Sequence, residues 1–203
     1  MIADRINRAT RKVPAWPLYI LGALPPLWLL FQGFTGGLGV DPVKEMEHQM
    51  GLWGLWLLIA GLCVTPLQRF AGVRLIKYRR AIGLTAFFYI FLHLLIWLVL
   101  DVQIVSQIIA DIYKRPYITV GMAAFVLLVP LALTSNNWSI RKLGPRWRQL
   151  HKLVYVIVPL GGLHFFLLVK GFQIEPLIYL GVIFLLLALR IRLPRRKRTA
   201  PAE

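Results

Sequence analysis

Ala81–Leu100 reads AIGLTAFFYIFLHLLIWLVL, twenty residues without a formal charge and with one histidine, His93, among them. At about 1.5 Å rise per residue, some twenty apolar residues cross a hydrocarbon core roughly 30 Å thick. The stretch therefore predicts a membrane-spanning helix that carries an imidazole inside the bilayer. Working outward, comparable apolar blocks run over about Pro14–Phe31, Gln49–Thr65, Tyr117–Leu133, Leu150–Val169 and Pro176–Leu193. The fold expected is an all-α membrane protein, a six-transmembrane-helix bundle. Composition agrees: 58% of the 203 residues are hydrophobic, against about 45–50% in soluble domains.

The segments between the blocks set the organisation. Pro25-Pro26 predicts a kink in the first block, and Pro66 helps to stop the second. Gly33–Gly39 reads as a glycine-rich loop and Asp41–Glu47 as a polar one, while Asp101–Arg115 is amphipathic and suits the interface. The first block is kept as a helix, because no Ala-x-Ala cleavage site follows it. The expected division is a cytoplasmic N-terminal segment over 1–13, a transmembrane domain over 14–193 and a basic tail over 194–203. Cys63 stands alone in an apolar block, where a small buried hydrophobe is expected.

A net charge of +16 invites a nucleic-acid reading. The charges instead lie in short runs between apolar blocks, so membrane topology explains them and no nucleic-acid partner is expected. Twenty of the twenty-four Lys and Arg residues fall on one side: the N-terminus, the Arg69–Arg80 stretch, the loop around Arg141–Lys152 and the tail with Arg195-Arg196-Lys197-Arg198. Cytoplasmic segments carry such an excess, which predicts cytoplasmic termini and an even number of spans. The tail also suits anionic membrane lipid.

Four histidines carry the chemistry: His48, His93, His151 and His164. Ionisable groups within a membrane helix are costly and functional by default, and histidine is a standard axial ligand of haem iron. His93 lies roughly 20 Å beyond Arg80, and His164 roughly 24 Å beyond Arg148, on helices leaving the cytoplasmic side. Two imidazoles at one depth can clamp a b-type haem. His151 lies roughly 20 Å below His164 and about 140° around a straight helix from it. It either faces a second, inner cofactor or is an interfacial histidine bonded to a carbonyl or a lipid phosphate. His48, beside Glu45 and Glu47, is expected to be solvated. Phe87, Phe88, Tyr89, Trp97, Phe165 and Phe166 are candidate haem-lining aromatics, and Gly83, Gly121, Gly161 and Gly162 candidate points of close approach.

The chain has no phosphate-binding loop, dinucleotide fingerprint or nucleophile elbow. Electrons must then enter from a separate protein, a quinol or a small flavin. The loop Ser135–Trp147, with Arg146 and Arg148 for a phosphate and Trp147 or Trp138 to stack, is the candidate flavin site, FMN being the candidate second cofactor. Its plainer reading is a positive-inside loop with interfacial tryptophans.

The chain resembles the MsrQ (YedZ) family over about Pro14–Arg192. The marks are Gly37-Leu38-Gly39-Val40-Asp41-Pro42-Val43-Lys44, Thr65-Pro66-Leu67, Leu92-His93-Leu94, Arg115-Pro116-Tyr117-Ile118-Thr119-Val120-Gly121, Leu131-Ala132-Leu133-Thr134-Ser135, and Arg141-Lys142-Leu143-Gly144 leading through Arg146-Trp147 to Leu150-His151. Their order and spacing are specific together. The resemblance implies a b-haem subunit of the ferric-reductase-like transmembrane superfamily in the bacterial inner membrane, with His93, His151 and His164 as haem ligands. It implies a periplasmic molybdopterin-containing methionine-sulfoxide reductase as the electron acceptor. The quinone pool or a cytosolic flavin reductase would be the donor. Oxidised methionine turns polar and disrupts packing, so its repair requires electrons. The superfamily often stacks two haems between histidine pairs; here Arg79 and Arg80 stand where a partner for His151 would be expected.

Two other classes are open. A self-sufficient ferric or quinone reductase needs an outer substrate site, and only His48 with its acidic neighbours offers one. A proton-coupled transporter predicts more intramembrane carboxylates, whereas Asp101, Asp111 and Glu175 lie near block ends.

Overall fold

The computed structural model describes residues 2–169, 171 and 173–191. Ten α-helices and no strand lie among them: α1 Ile2–Lys12, α2 Pro17–Thr35, α3 Pro42–Ala71, α4 Arg79–Ile96, α5 Val105–Lys114, α6 Pro116–Leu133, α7 Asn137–Leu143, α8 Pro145–Leu150, α9 Val154–Leu168 and α10 Ile174–Ala188. Five stretches among the described residues are long and apolar enough to cross a membrane: α2, α3, Ile76–Val102 around α4, α6, and Pro145–Leu168 through α8 and α9; α10 is a shorter apolar helix of 15 residues. The protein is a multi-pass membrane protein. The basic tail from Arg195 to Arg198 lies outside the described residues.

Three local features depart from the sequence reading. First, the N-terminal segment, read only as basic, forms the helix α1, and it is stapled to the α3–α4 connection. Asn7 donates to the Gly72 carbonyl (2.9 Å) and accepts from the Arg74 N–H (2.8 Å), and the Tyr78 hydroxyl donates to the Val13 carbonyl (2.8 Å). Second, α3 starts at Pro42, where Asp41 caps the Lys44 N–H at 3.2 Å and proline takes the first helical position. Third, the presumed loop after α6 contains α7, capped by Asn136 on the Ser139 N–H at 2.8 Å, and α8, opened by Pro145.

Pro66 does not stop α3, which runs on to Ala71 and closes on Gly72 with φ +68°. A proline at 66 cannot donate to the Leu62 carbonyl one turn earlier. That carbonyl instead accepts from Arg190 Nη2, beyond the end of α10, and Arg190 Nη1 donates to the Tyr155 hydroxyl at 3.0 Å. Freed carbonyls in hydrocarbon must find a donor within the protein, and here the donor comes from 128 residues away.

Two antiparallel hairpins, α3 with α4 and α6 with α9, form the centre, and α10 closes the bundle against α9 and α3. Leu55, Leu58, Leu62, Ala86, Leu128, Ile157, Val158 and Ile183 make their shared core. α2 lies against α3 and α4 through Leu29, Met46, Met50 and Tyr89. Its other face leaves Ile20, Leu24, Leu27, Trp28 and Phe31 exposed, as suits a surface turned to lipid rather than water. The amphipathic α5 has no buried residue.

Candidate haem-binding site

Each central hairpin presents one histidine, and both use the same local construction. On the first, the His93 ring of α4 lies against Gly51 of α3, and His93 Nδ1 is 2.8 Å from the Glu47 carbonyl. On the second, the His164 ring of α9 lies against Gly121 of α6, with Nδ1 2.6 Å from the Tyr117 carbonyl. In both cases the accepting carbonyl belongs to the residue four before the glycine. A carbonyl only accepts, so each Nδ1 carries the proton and each Nε2 keeps its lone pair.

The glycines are required by distance. A Cβ on Gly121 would stand 2.6 Å from His164 Nδ1, and one on Gly51 would stand 3.0 Å from His93 Nδ1. Gly121 is among the glycines that the sequence singled out; Gly51 is not, although Gly51 and Gly54 repeat the small-residue spacing of Gly121 and Ala124. Of the other candidates, Gly162 admits Leu180 and Ile183, and nothing approaches Gly83 within 4 Å.

The two rings face a common cavity of about 440 Å³ between the hairpins, with centroids 6.1 Å apart and planes at 78°. A metal–imidazole bond is about 2 Å, so one ion held between two axial rings sets their centroids roughly 6 Å apart. The cavity walls are Leu55, Leu58, Phe125, Leu128, Ile157 and Phe165, and its rim carries Lys44, Glu47, His48, Asp101, Arg115 and Tyr117. Among the described residues no three His, Cys, Asp or Glu side chains converge. Two imidazoles lining one apolar slot at this spacing suit an ion whose other ligands come from a flat macrocycle, and the residues fit haem.

Of the aromatics named from sequence, Trp97 and Phe165 line this cavity. Phe87 stacks between Phe91 and Phe125, Tyr89 packs against Trp53, and Phe88 and Phe166 are exposed. His48 is exposed at the rim, 5.9 Å from the Phe165 ring. Arg115 is fixed at the rim by Asp111 (Nε to Oδ1, 3.1 Å) and by donation from Nη1 to the Tyr117 hydroxyl (3.2 Å); Tyr117, first, and Asp111 hold its pKa above the ordinary arginine value.

His151 stands apart. Its ring stacks on Trp147 at 3.9 Å, and its Nε2 lies 3.1 Å from Thr134 Oγ1. The Thr134 hydroxyl donates to the Pro130 carbonyl at 2.6 Å, so its oxygen accepts from His151 Nε2–H. The Trp147 indole N–H is taken by the Thr134 carbonyl at 2.9 Å. Arg80 donates to Asn137 Oδ1 at 2.8 Å, joining α4 to α7. Arg146 and Arg148 are exposed on α8.

Fold and site together describe a multi-pass membrane protein with two histidines facing one cavity, and comparison with known proteins gives a transmembrane family. Residues 45–162 match the family described as ferric reductase like transmembrane component. A protein of Brucella anthropi named protein-methionine-sulfoxide reductase heme-binding subunit MsrQ is 50% identical over 189 residues, covering 93% of this chain and 86% of the relative. The protein of the same name from Agrobacterium fabrum is 49% identical over 195 residues, covering 93% and 91%. That from Brucella ovis is 50% identical over 188 residues, covering 92% and 86%. No solved structure matches the chain. The chain belongs to the ferric-reductase-like transmembrane family and, within it, to the MsrQ family.

Proposed function

We propose that this chain is the b-type haem electron-transfer subunit of a bacterial inner-membrane system. In this reading it passes electrons from the quinone pool or a cytosolic flavin reductase to a periplasmic molybdopterin-containing methionine-sulfoxide reductase that repairs oxidised proteins. The observation that carries the reading is the pair His93 and His164, 6.1 Å apart, each with Nδ1 bound to a carbonyl and Nε2 open. The names of the relatives support the haem and the reductase system.

When bound, haem supplies a reversible one-electron carrier. The protein's part is to hold it. The Glu47 and Tyr117 carbonyls fix ring orientation and tautomer and raise the basicity of both ligands. Leu55, Leu58, Leu128 and Ile157 exclude water from the slot. The Lys and Arg asymmetry supports six spans with both termini cytoplasmic, so the slot would open toward the periplasm. On the opposite side, Arg146, Arg148 and Trp147 offer an FMN or its carrier two cations and an aromatic edge, and His151 sits beside them as a third candidate ligand.

The test is the purified protein. Stoichiometric iron and a Soret band that shifts on reduction are expected, with about one haem per chain held at the outer pair. Membranes containing it should reduce the periplasmic partner. A colourless protein at full membrane level would refute the reading.

A further inference from the structure

The cavity rim carries two cations that the histidine pair does not use, Lys44 and Arg115. They occupy matching points of the two hairpins. Lys44 precedes Gly51 by seven residues and Arg115 precedes Gly121 by six; Leu58 and Leu128 follow the same glycines by seven. The same ring, carbonyl and glycine recur on each hairpin, and the helices alternate in direction. Such halves are related by an approximate two-fold axis along the membrane normal, here passing between His93 and His164. A flat group clamped by both rings lies along that axis. Haem b has an approximate two-fold axis of its own, in the ring plane and running between its two neighbouring propionates.

We propose that the two axes coincide, with the propionates turned to the outer rim, where Lys44 takes one carboxylate and Arg115 the other. The inference rests on the haem reading and deepens it, since it assigns how the porphyrin is turned in its slot. The opposite orientation would bury two carboxylates against Leu58, Leu128 and Ile157, all at most 6% exposed, which is strongly disfavoured without partners. At the rim, Asp111 and Tyr117 hold the Arg115 guanidinium against the cavity wall while only two of its nitrogens are engaged. Lys44 is paired with Asp41 at 3.6 Å and is 69% exposed, so its ammonium can swing to a second carboxylate. Glu47, Asp101 and His48 share the rim. Its sign is therefore mixed, and it is Lys44 and Arg115 that would favour an acidic porphyrin over a neutral one.

The experiment titrates the full-length apo-protein with iron protoporphyrin IX and, separately, with its dimethyl ester, following the Soret band. The diacid should bind about tenfold more tightly, the scale of one charge-assisted hydrogen bond. Lys44→Gln with Arg115→Gln should erase the difference while leaving ester affinity and the low-spin spectrum unchanged, and Arg115→Lys should keep most of it. Equal affinities in the unaltered protein, or a preference that survives the double substitution, would overturn the assignment alone. If His93→Ala leaves both spectra unchanged, the haem site itself is wrong and the assignment falls with it.

Discussion

The two ends of the bundle, outer and inner in the topology proposed above, both hold imidazole, yet they treat it in opposite ways. At the outer level two rings spend Nδ1 on backbone carbonyls and leave both Nε2 atoms for a shared occupant. At the inner level His151 spends Nε2 on Thr134, lies flat on Trp147 and has arginine rather than histidine on the neighbouring helix. The lesson is that a ligating histidine is marked by which nitrogen the protein has already used. A bond from Nδ1 to a carbonyl fixes the ring and leaves Nε2 to ligate; at His151 it is Nε2 that is already used.

The largest expected effect breaks this comparison at its root. His93→Ala or His164→Ala should each remove most of the haem per chain at unchanged membrane level. His151→Ala should keep most of the reduced-minus-oxidised signal. A protein emptied by His151→Ala alone would mean that His151 ligates after all, and the contrast would be lost. A smaller effect sharpens the outer level. Gly121→Ala forces a Cβ to within 2.6 Å of His164 Nδ1, against 3.0 Å for Gly51→Ala at His93. Haem affinity should fall by roughly 10–100-fold for the first, the range for losing the hydrogen bond that orients a ligating histidine, and by less for the second. Equal losses in Soret titrations would show that the two hairpins yield alike. The smallest effect concerns the inner level. Replacing Arg146 and Arg148 with Gln should slow reduction by a flavin donor more than it lowers haem content, and stopped-flow reduction beside a haem assay distinguishes this from misfolding, which lowers both.

Much of this was legible in sequence because a bilayer imposes lengths. Blocks such as Ala81–Leu100 and Leu150–Val169 have few alternatives in hydrocarbon, and an imidazole at equal depth in these two is a strong signal. What escaped the reading was of three kinds. The partners of His93 and His164 are backbone carbonyls of Glu47 and Tyr117, groups that every residue has and that no composition marks. Gly51 looked like one small residue among many, since its role depends on a ring from another helix. The short helices α7 and α8 lie in a basic segment where charge dominates the pattern, although Asn136 and Pro145 were the cap signals to follow. Pro66 misled for a related reason: prolines are tolerated within membrane helices, and here the carbonyl it orphans finds a donor in Arg190.

That last feature reaches into how the molecule is made. The Leu62 carbonyl belongs to the first third of the chain, and its donor, Arg190, is among the final residues described. During synthesis a ribosome delivers α3 to the membrane long before Arg190 exists. Until then the proline break is a point of weakness, where the helix can bend or admit water. Arrival of the segment that follows α10 supplies the donor, joining it to α3 through Leu62 and to α9 through Tyr155. Arg190 thus acts as a latch on an early helix, and a chain cut short before it should insert with the Leu62 carbonyl still unpaired.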